Sequence, residues 1–512
     1  MSKTASVQTR MTAKLLLSLT LLIIIAKTQV ISPQASTLDE FCEFWVAPAP
    51  LGNDTNPGTE SQPWATMEQA GIAVPDNGCT VWFKDGIYVG NNDMNERYTM
   101  QTVFKAVHPY QAILQHTGVT LEVNGGRNMR FEGFRFRHIN SPTTTKHVVI
   151  VEQRNEQWAE QIVFANNIFH DSYNNDLLKI HNGSRFIRVE GNVFYNQGAS
   201  DQHVDVNSVT DVIVQDNIFF NDFAGSARFD GQDTKHFIVV KDSNENTDGL
   251  LGSQRVIIRR NIFLNWEGGE ETFVQIGNDG KDYYEAINVL VENNLMIGNA
   301  QTDLLYTAFG VKGAKDVIFR NNTVVGDLPA DAYAVNVAIA GDNPDNKNIA
   351  LVNNIWSDPT GTMGAEDTNT AAEFSNGNRA DTVNLVLDNN LYWNGGVTIP
   401  DGNSVRPLVD DARRVIGNPL LNTNQMNVVL PRWAGTAFLS GNSTIRQEFV
   451  RLVETYGRIP PGSLAVGQAD PALAAIDDIY GRLRGSIRDL GAYETETAVL
   501  NEHTFLPLIH KN

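Results

Sequence analysis

Lysine, histidine and carboxylate side chains crowd into one stretch of the chain, at Asp176, Lys179 and His181, then Asp201, His203, Asp205 and Asn207, then Arg228, Asp230 and Lys241. The runs around them alternate apolar and polar residues, the period of a half-buried strand. With Leu178 and Ile180, Val204 and Val206, and Ile238 and Val240 turned inward, Lys179 lies beside Asp205. His181 then lies beside Asn207 and Lys241 on one outer face, with neighbouring strands about 4.8 Å apart. One chemistry needs such a set: β-elimination on a uronate sugar, where a cation stabilises the developing enolate and a base of lowered pKa takes the proton α to the carboxylate. In this reading Lys179 is the base, its ammonium depressed by Lys241, Arg228 or a metal. His181, His203 and Arg228 are further catalytic candidates, and Asn207 and Lys241 are candidates for holding substrate. Asp176, Asp201, Asp205 and Asp230 are hard oxygen donors suited to Ca²⁺, which would also bridge an acidic protein and an acidic sugar. The alternative is an ion-pair ladder that only solvates the surface and sets register.

Other segments carry weaker signals. Asn246-Thr247-Asp248-Gly249 matches the Asn-Thr-Asp-Gly motif of polygalacturonases, but the remaining segments of that set do not follow, so a turn is the simpler reading. Asn278 to Asp282 and Gly341 to Asn346 are loop sequences with oxygen donors, compatible with Ca²⁺ and equally with plain turns. Trp158, Trp266, Tyr283 and Tyr284 stand near strand ends, where they stack on sugar rings or pack loops. No phosphate-binding loop, Ser-His-Asp motif or cysteine-rich metal site is present.

What positions these residues is a repeat. An Asn followed by an aliphatic or Thr residue and a large apolar one recurs at Asn167, Asn192, Asn217, Asn261, Asn294, Asn322, Asn354 and Asn390, at spacings of 25, 25, 44, 33, 28, 32 and 36. Each copy follows a strand-like run, such as Ile187-Arg188-Val189-Glu190. A unit this short cannot bury its apolar face alone and must stack on its neighbours. Neither leucine ladders nor helical periodicity is visible, so the expected fold is all-β, a right-handed parallel β-helix with short helical caps. In it each Asn occupies a tight turn in a left-handed conformation and bonds the Asn of the coil above and below, while the aromatic two positions on stacks inside. With Phe131 to Phe136 in the same register, about nine coils are expected. Thr66 to Val74 suits a short helix over the first coil. Ile445, Phe449, Leu452, Val453 and Tyr456 follow helical spacing, for an amphipathic helix over the last coils.

Composition limits the partners. The 512 residues hold 39 basic and 59 acidic side chains, a net charge of −20, which excludes the basic face a nucleic-acid binder needs. Lys3, Arg10 and Lys14 precede the apolar run Leu15 to Ala26, which suits the core of a secretory signal better than a membrane span. The expected layout is a signal or anchor over 1–35, an N-terminal cap and first coils over 41–115, the β-helix over 116–440, and C-terminal coils, capping helix and tail over 441–512. Cys42 and Cys79 either pair, as an oxidising exterior permits, or stay as buried thiols.

The segment Phe44 to Ala70 followed by Asp76 to Gly90 resembles the N-terminal cap of secreted β-helix proteins of the pectate-lyase-like superfamily. Tyr480 to Glu494 (YGRLRGSIRDLGAYE) resembles the end of bacterial β-helix proteins with a Gly-Ala-Tyr-Glu terminus. This resemblance implies a secreted or cell-surface monomer acting on an acidic polysaccharide, and the lysine-plus-calcium arrangement of some pectate lyases is similar to the cluster above. A non-catalytic adhesin and a glycoside hydrolase are the alternatives the same fold allows.

Overall fold

A computed structural model describes residues 42–141, 146–198, 201–228, 234–299, 305–326, 328, 332–361, 363, 373–399 and 408–495. The basic and apolar N-terminal segment, Asp230 and the segment Phe505 to Ile509 lie outside the described residues. Among those described, the strands form three all-parallel sheets of twelve, ten and twelve strands, visited in turn as the chain winds. One coil shows the pattern: Glu160–Ala165 in the first sheet, Ile168–Ser172 in the third, Leu178–His181 in the second, and then Arg185–Glu190 back beside the starting strand. The stack is longer than the nine coils counted from the Asn repeat, because the first coils lack that Asn.

The core follows from alternation. Phe136, Phe169, Phe194, Phe219 and Phe263 stack down the interior at centroid separations of 5.0, 4.6, 4.9 and 5.1 Å, one ring per coil. All eight repeat Asn residues are fully buried. Each uses its side-chain amide as both donor and acceptor: Asn192 Nδ2 donates to Asn217 Oδ1 at 3.0 Å and to the Phe164 carbonyl at 3.0 Å, while Asn192 Oδ1 accepts the Asn167 backbone N–H at 2.8 Å. Asp411 closes the ladder. Its carboxylate accepts from the Asn389 and Asn390 backbone N–H groups, the Asn390 amide and the Tyr392 hydroxyl. An acceptor-only side chain suits a last rung, which has no further coil to donate to.

The ladder Asn is not the left-handed residue of the turn, as its sequence position suggested. That conformation belongs to the residue before it: Asn166, Gly191, Asp216, Arg260, Asn293, Asn321, Asn353 and Asn389 have φ between 51° and 67°. The ladder residues need extended backbone to aim their amides along the axis, so the turn strain falls one position earlier.

A helix at Met67–Ala73, N-capped by Thr66, packs at the N-terminal end. Cys42 and Cys79 form a disulfide that ties strand Glu43–Val46 to its neighbour Thr80–Phe83. Closing a loop of 37 residues is worth about 4 kcal/mol on chain-entropy grounds. In Cys42→Ser, amide exchange is expected to accelerate in Glu43–Val46 first, with the middle coils unchanged, because a solenoid unit contacts only its neighbours.

The helix at Ile445–Leu452 forms as its spacing suggests, with a Thr444 capping box. Its position differs from the expectation. Ile445, Phe449, Leu452 and Val453 pack with Ile168, Val193, Ile218, Ile262 and Leu295, the outer face of the third sheet, rather than over the last coils. The third sheet is thus apolar on both faces, and the chain's own C-terminal segment covers the outer one.

Candidate functional site

The second sheet carries the charged cluster. Its register pairs Ile150 with Lys179, Lys179 with Asp205, and Asp205 with Val239. Two positions on, His181 pairs with Asn207 and Asn207 with Lys241, as alternation required. The Lys179 ammonium sits on Asp205 Oδ2 and lies 3.8 Å from Asp176 Oδ2. Asp176 is fully buried; it also meets His147 Nδ1 at 3.1 Å, accepts the Gln202 backbone N–H at 3.0 Å, and hydrogen-bonds Asp201. His181 Nε2 lies 3.1 Å from Glu152 Oε2. Asn207 donates to Ser243 Oγ at 2.7 Å, and Ser243 Oγ donates to Asp279 Oδ2 at 2.6 Å. Lys241 Nζ reaches Asp279 Oδ1 at 3.1 Å.

Burial works against the Asp176 carboxylate, but the His147 bond and the Lys179 charge outweigh it and hold its pKa well below the usual range. Its neighbour goes the other way: burial and the Asp176 charge push Asp201 up to about 9, so Asp201 keeps its proton at neutral pH. Two carboxyl groups sharing one proton are in hydrogen-bond contact, too close for the separations of roughly 5 Å or more that glycoside hydrolysis uses.

Several expectations are revised. Lys179 is not depressed: burial alone would lower its pKa, but Asp205 and Asp176 raise it above the ordinary lysine value. His203 does not face the cluster. It is fully buried, with its ring 4.5 Å from Phe237 and its Nε2 3.1 Å from Asn221 Oδ1, and burial pushes its pKa down to about 3. Strict alternation fails there because His203 and Val204 both touch the core. Arg228 donates to the Asn196 carbonyl at 2.8 Å and stacks on Tyr173 at 4.1 Å, so it braces loops beside the third sheet instead of facing Lys179. His147, Glu152, Ser243 and Asp279 were missed. Continuing the register one coil back from His181 points to Glu152; the other three sit outside the regular strand positions.

The remaining motifs prove to be turns. Asp248 accepts from Ser208 Oγ, Asn244 Nδ2 and the Leu250 N–H, closing its loop on itself. Backbone N–H groups of Asn278, Asp279, Gly280 and Lys281 converge on the buried Glu285 carboxylate at 2.8 to 3.3 Å, so that loop wraps a carboxylate of the chain itself. Trp266 is buried in the core, and Trp158 lies under Arg185 at 4.1 Å.

Asp176, Asp201 and Asp205 bring carboxyl oxygens together around the Lys179 ammonium. Asp205 Oδ1 is buried without a hydrogen-bond donor, and Asp201 retains a proton that a divalent cation would displace. In the described conformation the Lys179 ammonium takes that cationic role, and among the described residues no three His, Cys, Asp or Glu side chains are arranged to hold a metal ion.

Two histidines away from these carboxylates give the fold a pH dependence. His236 is fully buried among Thr272, Glu271, Lys241, Lys312 and Lys235, and burial pushes its pKa down to about 3. His138, near His116, His147 and Arg228, is pushed down to about 4, again by burial. The unfolded chain binds these protons from pH 6.5 downward and the folded chain does not. Their contribution is therefore whole above pH 6.5 and is lost as pH falls toward 4 to 3. Urea titrations should show about 2 kcal/mol lost per histidine between pH 6.5 and pH 5, with one histidine's share of the loss absent in His236→Gln.

No protein-family model matches the chain, and no curated protein matches its sequence. Solved structures do. XylC in complex with xylose superposes with a TM-score of 0.50 at 10% identity, covering 89% of this chain and 98% of that one. A pectate lyase gives 0.49 at 13% identity, covering 88% and 96%, and the surface adhesin PfbA of Streptococcus pneumoniae gives 0.41 at 12%, covering 64% and 85%. At such identities the likeness is one of architecture, and with three all-parallel sheets wound in strict rotation, this chain is a right-handed parallel β-helix protein.

Proposed function

We propose that the protein is a secreted or cell-surface enzyme that cleaves an acidic polysaccharide by calcium-assisted β-elimination on the outer face of the second sheet. The observation that carries this reading is the sequence of charges across three coils: Lys179, then Asp205 with Asp176 and Asp201 beside it, then Lys241. An ion-pair ladder that only solvates the surface needs no buried carboxylates and no retained proton, and this cluster has both.

Lys241 suits the proton acceptor better than Lys179. Lys179 is locked by two carboxylates, whereas Lys241 bonds one, Asp279, and the positive charge of Lys179 opposes its own. Burial also favours the neutral amine of Lys241, although Asp205 and Asp279 together keep the pKa raised in the absence of substrate. Asp176, Asp201 and Asp205 would hold calcium. Calcium held there would supply positive charge opposite the substrate carboxylate and the developing enolate, and Asp205, engaged by it, would loosen its hold on the Lys241 proton. Lys179 anchors a carboxylate. Asn207, fixed by Ser243, presents its amide between the two lysines, and His181 is steadied by Glu152 at the edge. Lys241 Nζ takes the α-proton, the enolate collapses, and the glycosidic oxygen at the β-carbon leaves with the electron pair, giving an unsaturated uronate end.

Absorbance of that unsaturated product, followed on pectate, alginate and glycosaminoglycans with Ca²⁺ or EDTA, tests the reading. Calcium-dependent product supports it; reducing ends from a neutral glycan with no unsaturated product would replace it with a hydrolase.

A further inference from the structure

The charged face does not end at Lys241. Val240 pairs with Ile276 and Ile276 with Val311, so one residue further on Gly277 follows in the row of Lys241 and Lys312 continues it two coils beyond. The floor between the two lysines is nearly bare. Gly277 has no side chain, Gly310 has none beside it, and the Gln275 amide lies flat over Gly310, where a Cβ would come within 1.9 Å of Gln275 Oε1. Gln275 Nε2 is tied down by the Gly277 carbonyl at 2.7 Å. Lysines thus recur at every second coil, at Lys179, Lys241 and Lys312, about 9 to 10 Å apart along the axis.

Lys312 differs from the other two. Lys179 and Lys241 are each seated on a carboxylate, while Lys312, half-buried, makes no ion pair among the described residues. The opposite end of the face carries three carboxylates, Asp93, Glu122 and Glu152, against one arginine, Arg154, which pairs with Asp93. A polyanion is therefore repelled from one end and drawn toward the other.

We infer that Lys312 and the flat floor at Gln275, Gly277 and Gly310 form a second anion subsite, which takes a uronate carboxylate two sugar residues beyond the sugar at Lys241. A pyranose is about as long as the spacing between coils, so a carboxylate on every second sugar meets a lysine on every second coil. The substrate class is then a linear polyuronate at least three residues long, running from the cluster toward the C-terminal coils and away from Asp93 and Glu122. This inference rests on the reading of the cluster as the place where a polyuronate binds.

The test separates the two claims. Affinity electrophoresis in gels containing pectate or alginate, with xylan as the neutral control, is run on the full chain, Lys312→Ala, Lys312→Arg and Lys241→Ala. Retardation by a polyuronate, weakened about tenfold in Lys312→Ala and kept in Lys312→Arg, supports the subsite, and where product forms, KM on polymer rises in Lys312→Ala with kcat and dimer cleavage unchanged. Equal retardation of Lys312→Ala and the unmodified chain overturns the subsite while leaving the catalytic reading standing. No retardation of the unmodified chain by any polyuronate overturns both. Thermal melting of each variant confirms an intact fold.

Discussion

Lys241→Ala is expected to lose about a thousandfold in the rate of unsaturated product formation, with a melting temperature within a degree or two of the unmodified chain. The magnitude is that of a general base removed from a proton transfer. Lys241→Arg makes the sharper statement, because a guanidinium keeps the positive charge but stays protonated at any working pH. If Lys241 takes the proton, Lys241→Arg is as inactive as Lys241→Ala. If it only anchors a carboxylate, Lys241→Arg retains most of the activity. Lys179→Arg provides the contrast, since a cation on Asp205 is all that the proposal asks of that position.

The second large effect is on stability. Arg484 is completely buried, bonds Glu494 at 2.6 Å, and donates to the carbonyls of Asp477, Asp489, Gly491 and Ala492 and to Asn293 Oδ1. Burial presses both partners toward neutrality, lowering the arginine and raising the glutamate. Such a pair contributes little net stability while intact, but removing one partner strands the other. Arg484→Met should cost about 3 to 5 kcal/mol in urea unfolding, and adding Glu494→Gln should recover part of it. The loss should spread along the C-terminal segment. That segment is clasped by the left-handed row: Asn293, Asn321, Asn353 and Asn389 donate their amides to carbonyls of Asp477, Asp489, Asp470 and Gln468.

That row shows what the sequence could and could not reveal. The ladder Asn residues stand out because only an amide both donates and accepts along a stack, so the residue type is forced at each coil. The residue before each of them tolerates more: Asn, Gly, Asp and once Arg260 occupy it, and a dihedral angle leaves no mark of its own at the ladder position. The pairing of Lys179 with Asp205 was legible for the same reason as the fold, since period-two alternation fixes which side chains share a face. His203 was not, because its strand departs from strict alternation where it meets the core. Nor was the raised Lys179 proton affinity, which Asp205 sets together with Asp176, a residue in the loop before the strand. The helix around Phe449 was visible as an apolar stripe, but a stripe does not say what it covers. Its partner is the outer face of the third sheet, whose Ile168, Val193 and Ile218 read in sequence simply as further strand residues.

The central claim is that the face between Lys179 and Lys241 performs β-elimination on a uronate polymer. The most direct measurement is absorbance of unsaturated uronyl product from pectate, alginate and glycosaminoglycans, with calcium or EDTA, for the full chain beside Lys241→Ala. Calcium-dependent product from at least one of these polymers, abolished in Lys241→Ala, is the result expected. Undiminished product in a folded Lys241→Ala variant, or no product from any uronate under either condition, would contradict it.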